Sequence, residues 1–263
     1  MWLTHHPVSR RCHHDHSAFG HVHPHVPHSD GSRQPNGSSG SQKIQIGRRI
    51  LEANDTMAGR LRTLFARHRV FVLNIMSSPG SGKTTLLEKT LSRLMPDLRC
   101  AVIVGDIATT HDADRLAVSG APVVQINTDV FGGDCHLTAQ AVEKAMAPFD
   151  LTALDLIIVE NIGNLVCPAE FDLGEDRRVV VLSVTEGEDK PAKYPLMFRE
   201  CDAAILNKID LLPHLDYDVP RVRQAIGQIH PGMRIFEISA RTEAGFDPWI
   251  AWLKDQAALK KTT

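Results

Sequence analysis

The segment that most constrains the fold is SSPGSGKTTLL, residues 77–87. It follows the apolar run VFVLNIM and opens a stretch with helical spacing, KTTLLEKTLSRLM. A strand, a glycine-rich turn and a helix in that order form a phosphate-binding loop. Gly80 and Gly82 let the backbone turn its N–H groups inward without a Cβ in the way. Ser81 and Thr85 belong to the same cradle, which the positive end of the helix dipole reinforces. Lys83 is placed to reach the β- and γ-phosphates, and the Thr84 hydroxyl to coordinate Mg2+. Ser77 stands where the strict pattern has its first glycine.

Such a loop belongs in an α/β domain, and the remaining sequence agrees. Short apolar runs recur as CAVIVGD, PVVQIN, LDLIIVEN, VVVLSVT, AAILNKID and RIFEIS. Largely uninterrupted runs of this kind suit strands covered on both faces. Helical segments such as HLTAQAVEKAMA, which His136 would open, and PRVRQAIGQI lie between them. The expectation is a P-loop fold with a mostly parallel sheet of about seven strands flanked by helices. An amphipathic helix from about Ile46, with Ile50, Leu51, Leu61, Leu64 and Phe65 on its apolar positions, precedes the first strand. Trp249 and Trp252 read as core packing in the last helix.

NKID selects the base. Asn207, Lys208 and Asp210 end a strand about 120 residues after the loop, as in the N-K-x-D guanine motif. Asp210 can accept from both N1–H and N2–H2 of guanine, a pattern adenine lacks. Lys208 can lie over the ring, and Ser239 with Ala240 fits the last guanine loop. GTP and GDP are therefore the expected ligands. Two further acids are available to Mg2+: Asp106 ends CAVIVGD and Glu160 ends LDLIIVE, both at the carboxyl edge of the sheet. Gly163, in the NIGN that follows, can donate its N–H to the γ-phosphate. No glutamine stands where a Ras-type enzyme positions its water, so slow intrinsic hydrolysis is expected.

Ahead of the domain, composition changes. Nine of the fourteen histidines (His5, His6, His13, His14, His16, His21, His23, His25 and His28) precede SDGSRQPNGSSGSQ, a linker by composition. Residues 1–42 offer little to bury and read as a disordered tail, with the GTPase domain at 43–263. Interleaving as HVHPHVPH distinguishes the tail from the consecutive histidines of an expression tag. Neutral imidazoles suit nickel, zinc or copper, so the tail reads as a metal store. A net charge of −2 gives no electrostatic case for nucleic acid. No apolar run is long enough for a membrane span, and five scattered cysteines suit reduced thiols in the cytoplasm.

Cys135–His136 and Cys167 are a plausible ligand set for zinc or nickel, completed by a symmetric dimer. On spacing alone, two small buried thiols are the simpler reading. His111 reads as a loop histidine and Lys190 as a surface lysine, each with a possible ligand role; Cys100 and Cys201 read as packing.

From about Ile46 onward the chain resembles the HypB family, the nickel-incorporation GTPases of [NiFe]-hydrogenase maturation. The resemblance rests on SSPGSGKTTLL, GDIATTHDADRL, QINTD…CHLTA, ENIGNLVCP, EGEDKPAKYP and NKIDLL. It implies a dimerising SIMIBI-type GTPase and a metal site at or near the interface, to which Cys135, His136 and Cys167 carry over. It also implies nickel delivery, with a HypA-like zinc- and nickel-binding accessory protein, to the hydrogenase large-subunit precursor. The sequence departs from some members in having only Cys12 in place of a cysteine-rich N-terminal nickel motif. Its link DVFGGD (Asp129 to Asp134) is also longer than expected. A urease-type nickel-insertion GTPase is the nearest rival, but that family has Cys-Pro-His where Cys135 is followed directly by His136. The P-loop and guanine motifs would also suit a nickel-storage protein with a regulatory GTP site, or a GTPase chaperone of cobalamin enzymes. The latter would have no need of the tail or of Cys135–His136.

Overall fold

The computed structural model describes residues 38–106, 111–127 and 135–262, leaving the side chains of 38–47, Asp106 and His111 outside the description. The histidine tail and the Asp129–Asp134 link therefore lie outside the described residues. Seven parallel strands form one sheet: β1 (Phe71–Ser77), β2 (Cys100–Asp106), β3 (Val123–Asn127), β4 (Leu156–Gly163), β5 (Arg177–Ser183), β6 (Ala203–Asn207) and β7 (Arg234–Ile238). Their spatial order is β3-β2-β4-β1-β5-β6-β7, and every pairing is parallel. The expected α/β architecture is thus found, with a wholly parallel sheet.

Helices cover both faces: α1 (Ser38–His68), α2 (Lys83–Leu94), α3 (His111–Ala117), α4 (Ala139–Ala145), α5 (Lys190–Lys193), α6 (Pro195–Glu200), α7 (Val219–Ile229) and α8 (Phe246–Thr262). Alternation along β1 assigns the layers. Phe71, Leu73 and Ile75 pack with Leu86, Leu87 and Leu91 of α2 and with Trp249 and Leu253 of α8. Val72 points the other way, among Leu61 and Phe65 of α1 and Val142 of α4. Trp249 and Trp252 stack in the core, and the Trp249 indole N–H donates to Thr90 Oγ1 at 3.0 Å.

Two boundaries differ from the sequence reading. Ser38–Gln42, assigned to the linker by composition, are the first residues of α1. Ile50, expected on the apolar face of that helix, is exposed, because α1 meets the rest of the fold only from about Asn54 onward. Cys100 and Cys201 are buried as expected, and burial pushes the Cys100 thiol up to about 12 and raises Cys201 as well. Both stay protonated and pack as small apolar groups.

The base of the sheet is closed by Asp155, just ahead of β4. Its carboxylate accepts from Arg99 Nε at 3.0 Å, Arg99 Nη2 at 2.8 Å and the Arg99 backbone N–H at 2.9 Å, with Lys261 Nζ at 2.9 Å. Hydrogen bonds from Arg99 hold the Asp155 carboxyl well below the usual carboxylate range, against the opposing effect of burial. A depressed folded-state value stabilises the fold above the unfolded value of about 4 and loses that contribution as pH falls through the folded one. Asp155→Asn should therefore cost about 2 kcal/mol at pH 7 and flatten the fall in stability below about pH 4. Urea denaturation of both proteins from pH 7 to pH 2 measures this; parallel pH profiles would contradict it.

Candidate functional site

β1 delivers the chain into the loop Ser78–Gly82, and α2 starts at Lys83. Gly80 at φ 78° and Gly82 at φ 88° occupy the left-handed region that favours glycine. At Gly82 space demands glycine as well, since a Cβ would lie 2.7 Å from Asn207 Nδ2. The loop, the start of α2, Gly105, Glu160 and Gly163 enclose a cleft of about 390 Å3. Gly163 packs on Pro79 so closely that a Cβ would come within 3.2 Å of its ring.

Lys83 Nζ is 3.5 Å from Glu160 Oε1, and Thr84 Oγ1 donates to the same oxygen at 3.1 Å. Glu160 is 2% exposed, and its Oε2 has no hydrogen-bond partner among the described residues. Burial pushes the Glu160 carboxyl up, with the Lys83 charge opposing. A buried, half-satisfied carboxylate beside a threonine hydroxyl is a poor arrangement for an empty protein interior and a good one for a hard cation. The residues present thus fit Mg2+. Ser81 Oγ is likewise buried and unpartnered among the described residues. Asp106 ends β2 opposite Asn127; its side chain lies outside the described residues.

The guanine elements converge on the same loop. Asn207 Nδ2 donates to Ser81 O at 2.9 Å, and Asn207 Oδ1 accepts from the backbone N–H groups of Lys208 and Ala240. Asn207 therefore ties the phosphate loop to the last base-side loop. Lys208, at φ 64°, sends Nζ 2.7 Å to Gly80 O. Asp210 Oδ1 accepts from Ser239 Oγ at 2.6 Å, which orients the carboxylate. Asp210→Asn removes one of two acceptors for the base and should weaken GTP binding at least about 100-fold. Xanthine, with a carbonyl in place of the 2-amino group, suits the variant better, so competition between the two nucleotides is the measurement; unchanged preference for GTP would contradict the assignment.

The cysteines meet on the far side of β4's tip. Cys135, His136 and Cys167 present ligand atoms all within 4.8 Å of one another. The two sulfurs are 2.7 Å apart, and Cys135 Sγ lies 3.8 Å from His136 Nδ1. His136 stacks on Phe171 with ring centroids 3.7 Å apart, which restrains the imidazole. It does not open a helix: α4 begins at Ala139, because the Thr138 side chain caps it by accepting from Ala141 N. His136 and Cys135 therefore sit in the loop before the cap, free of helical geometry. Cys167 begins a single 3-10 turn with proline after it, seven residues beyond Glu160.

Sequence reasoning passes over two cleft residues. Asp112 and Arg115 of α3 line the phosphate cleft, and Arg115 Nη2 donates to Thr85 Oγ1 at 3.0 Å while pairing with Glu88. Both lie inside GDIATTHDADRL, but nothing in their spacing marks them. Lys190 lies over the Tyr194 ring and 4.0 Å from Glu186. His111 is the first residue of α3, with its side chain outside the description.

A phosphate cradle at the switch point of a parallel sheet, with the asparagine and aspartate of a guanine pocket locked onto it, defines a P-loop GTPase. The profile of the CobW/HypB/UreG nucleotide-binding domain matches residues 71–237. The hydrogenase maturation factor HypB of Escherichia coli K12 is 45% identical over 232 residues, which cover 88% of this chain and 79% of that protein. HypB of Azotobacter chroococcum is 47% identical over 224 residues, covering 85% and 72%. The crystal structure of Helicobacter pylori HypB in complex with nickel superposes with a TM-score of 0.74 at 37% identity, covering 78% of this chain and 95% of that one. The chain belongs to the HypB family of hydrogenase maturation factors.

Proposed function

We propose that the protein is a nickel metallochaperone of [NiFe]-hydrogenase maturation whose Cys135/His136/Cys167 cluster is gated by its GTPase cycle. The observation that carries this reading is continuity. One segment, Glu160 to Cys167, runs from the buried carboxylate of the phosphate cleft to a ligand of the Cys/His cluster. Nickel is cargo at that cluster. Two thiols and an imidazole suit nickel or zinc, and metal uptake displaces the thiol protons. Three ligands from one chain leave coordination incomplete, so a second copy supplies the remainder and the GTP-bound form favours the dimer. His5, His6, His13, His14, His16, His21, His23, His25 and His28 act as a nickel store feeding the cluster.

Within the nucleotide cleft, the loop N–H groups and Lys83 neutralise the phosphates, and Asn207 holds loop and base pocket in register. Thr84, Asp106 and Glu160 hold Mg2+ directly or through water, and when bound it supplies charge neutralisation at the phosphates. Arg115 adds a second cation at the cleft wall. Gly163 offers its N–H to the γ-phosphate. Hydrolysis is slow without a dedicated water-positioning glutamine, which suits a switch. The partners are a HypA-like accessory protein and the hydrogenase large-subunit precursor, in the cytoplasm; among the described residues no helix is long and apolar enough to cross a membrane.

Complementation tests the reading. In cells lacking their own family member and grown at limiting nickel, the protein should restore hydrogenase activity and Cys135→Ser/Cys167→Ser should not. Restoration of urease alone would favour the urease-type assignment. Equal rescue by a Lys83→Ala variant would point to nickel storage without a GTPase cycle.

A further inference from the structure

We infer that Asn161 is a positioning residue that transmits the state of the nucleotide cleft to the metal cluster by holding Leu137 between the tips of β2 and β4. The inference rests on the nucleotide gating proposed above.

Two asparagines, Asn74 and Asn161, are fully buried in the adjacent strands β1 and β4. Buried amides in such a place are costly unless their polar atoms are used, and here they are. The Leu137 backbone N–H donates to Asn161 Oδ1 at 3.3 Å. Asn161 Nδ2 donates to Asn74 Oδ1 at 3.2 Å, and Asn74 Nδ2 donates to Glu175 Oε1 at 3.1 Å. Arg178 Nε closes the line on the same carboxylate oxygen at 2.6 Å. A backbone donor at one end and a carboxylate at the other leave only one orientation for each amide. The line is therefore a fixed track rather than a set of interchangeable contacts.

Its inner end lies where the two sites meet. Asn161 directly follows Glu160, and Leu137 directly follows His136. Leu137 is 1% exposed and lies on Gly105, the residue before Asp106, so closely that a Cβ there would come within 2.9 Å of both its methyl carbons. One residue thus meets both strand ends that carry the cleft acids, β2 through its side chain and β4 through its backbone N–H, and adjoins a metal ligand. Asn164 Nδ2 donates to Cys135 O at 3.3 Å, adding a second tie from the β4 end to the same loop. On the opposite side, Asn54 of α1 accepts from Ala139 N at 2.9 Å and fixes the start of α4. A shift of the β2 or β4 tip relative to α1 is therefore taken up at Leu137 and passed to Cys135 and His136.

The test uses the full chain carrying Cys12→Ser and reads the thiolate-to-nickel charge-transfer absorption, which the remaining histidines of the tail do not produce. Nickel is titrated into the GDP form and into a form bound to a non-hydrolysable GTP analogue. Wild-type affinities should differ by about 5- to 150-fold between the two forms, the usual range of coupling between linked sites. In Asn161→Ala the difference should shrink below about twofold, while nickel affinity of the GDP form stays within about tenfold of wild type. A difference preserved in Asn161→Ala overturns this inference and leaves nucleotide gating intact. No difference in wild type overturns the gating itself, and this inference with it. Loss of nickel in both forms of the variant makes Asn161 a builder of the site and not a link, which also overturns the inference. Should Asn161→Ala not fold, Leu137→Ala removes the packing on Gly105 without touching the amides or the residues that line the nucleotide cleft. A collapsed difference there supports the link, and an unchanged one overturns it.

Discussion

Lys83→Ala is expected to lower the single-turnover rate of GTP hydrolysis at least about 100-fold, in line with the loss of one well-placed charge donor to a developing anion. Two effects add in the same direction. The ammonium is lost from the β- and γ-phosphates, where positioning and charge neutralisation supply most of the catalysis. Glu160, whose burial already pushes it toward the neutral acid, also loses the cation that opposes that shift. A neutral Glu160 is a weaker partner for Mg2+, so the variant should need more of the ion. Lys83 belongs to none of the apolar core clusters, but its loss leaves the buried Glu160 without its cation, so the thermal midpoint without nucleotide should fall. Phosphate release within about threefold of wild type would exclude Lys83 from the role given to it.

The second large effect is expected at the cluster. Cys135→Ser/Cys167→Ser exchanges two soft sulfur ligands for hydroxyls that stay protonated at neutral pH. Altering a partner one step removed from a metal commonly costs 10- to 100-fold in affinity. Removing two direct ligands should therefore cost nickel at least about 100-fold at this site. In a Cys12→Ser background the charge-transfer absorption should disappear altogether, whatever the tail histidines bind. Neither cysteine is in the core, so folding and GTP affinity should persist. Persistence of the absorption in the double variant would place the nickel thiolates elsewhere in the chain.

How far the sequence carries differs between the fold and the sites. The inner strands are runs of apolar residues covered on both faces, so β2 appears in the sequence with the same ends it has in the structure, Cys100 and Asp106. The order β3-β2-β4-β1-β5-β6-β7 has no such trace, because strand pairing is decided by which faces the helices can cover. The phosphate loop is legible because it is contiguous, and Asn207, Lys208 and Asp210 because they are nearly so. Arg115 and Asp112 are not, since only the path of α3 brings them to the cleft. Asn74, Asn161 and Glu175 are further still from legibility. Asn74 and Asn161 read as interruptions of apolar runs and Glu175 as one more charge in the loop before β5, and the partners lie 87 or 101 residues apart along the chain. His136 reads as helical because HLTAQAVEKAMA has helical spacing throughout. Thr138 wins as the cap, since its side chain satisfies an N–H that His136 could not.

The central claim is that nucleotide state changes metal affinity at the Cys/His cluster. The most direct measurement is calorimetric titration of nickel into residues 38–263, which keep all of α1 and exclude the tail histidines, first with GDP and then with the non-hydrolysable GTP analogue. The account predicts stoichiometric binding that depends on Cys135 and Cys167, with affinities at least about fivefold apart in the two states. Equal affinity with both nucleotides, or binding that survives the loss of both cysteines, would contradict it.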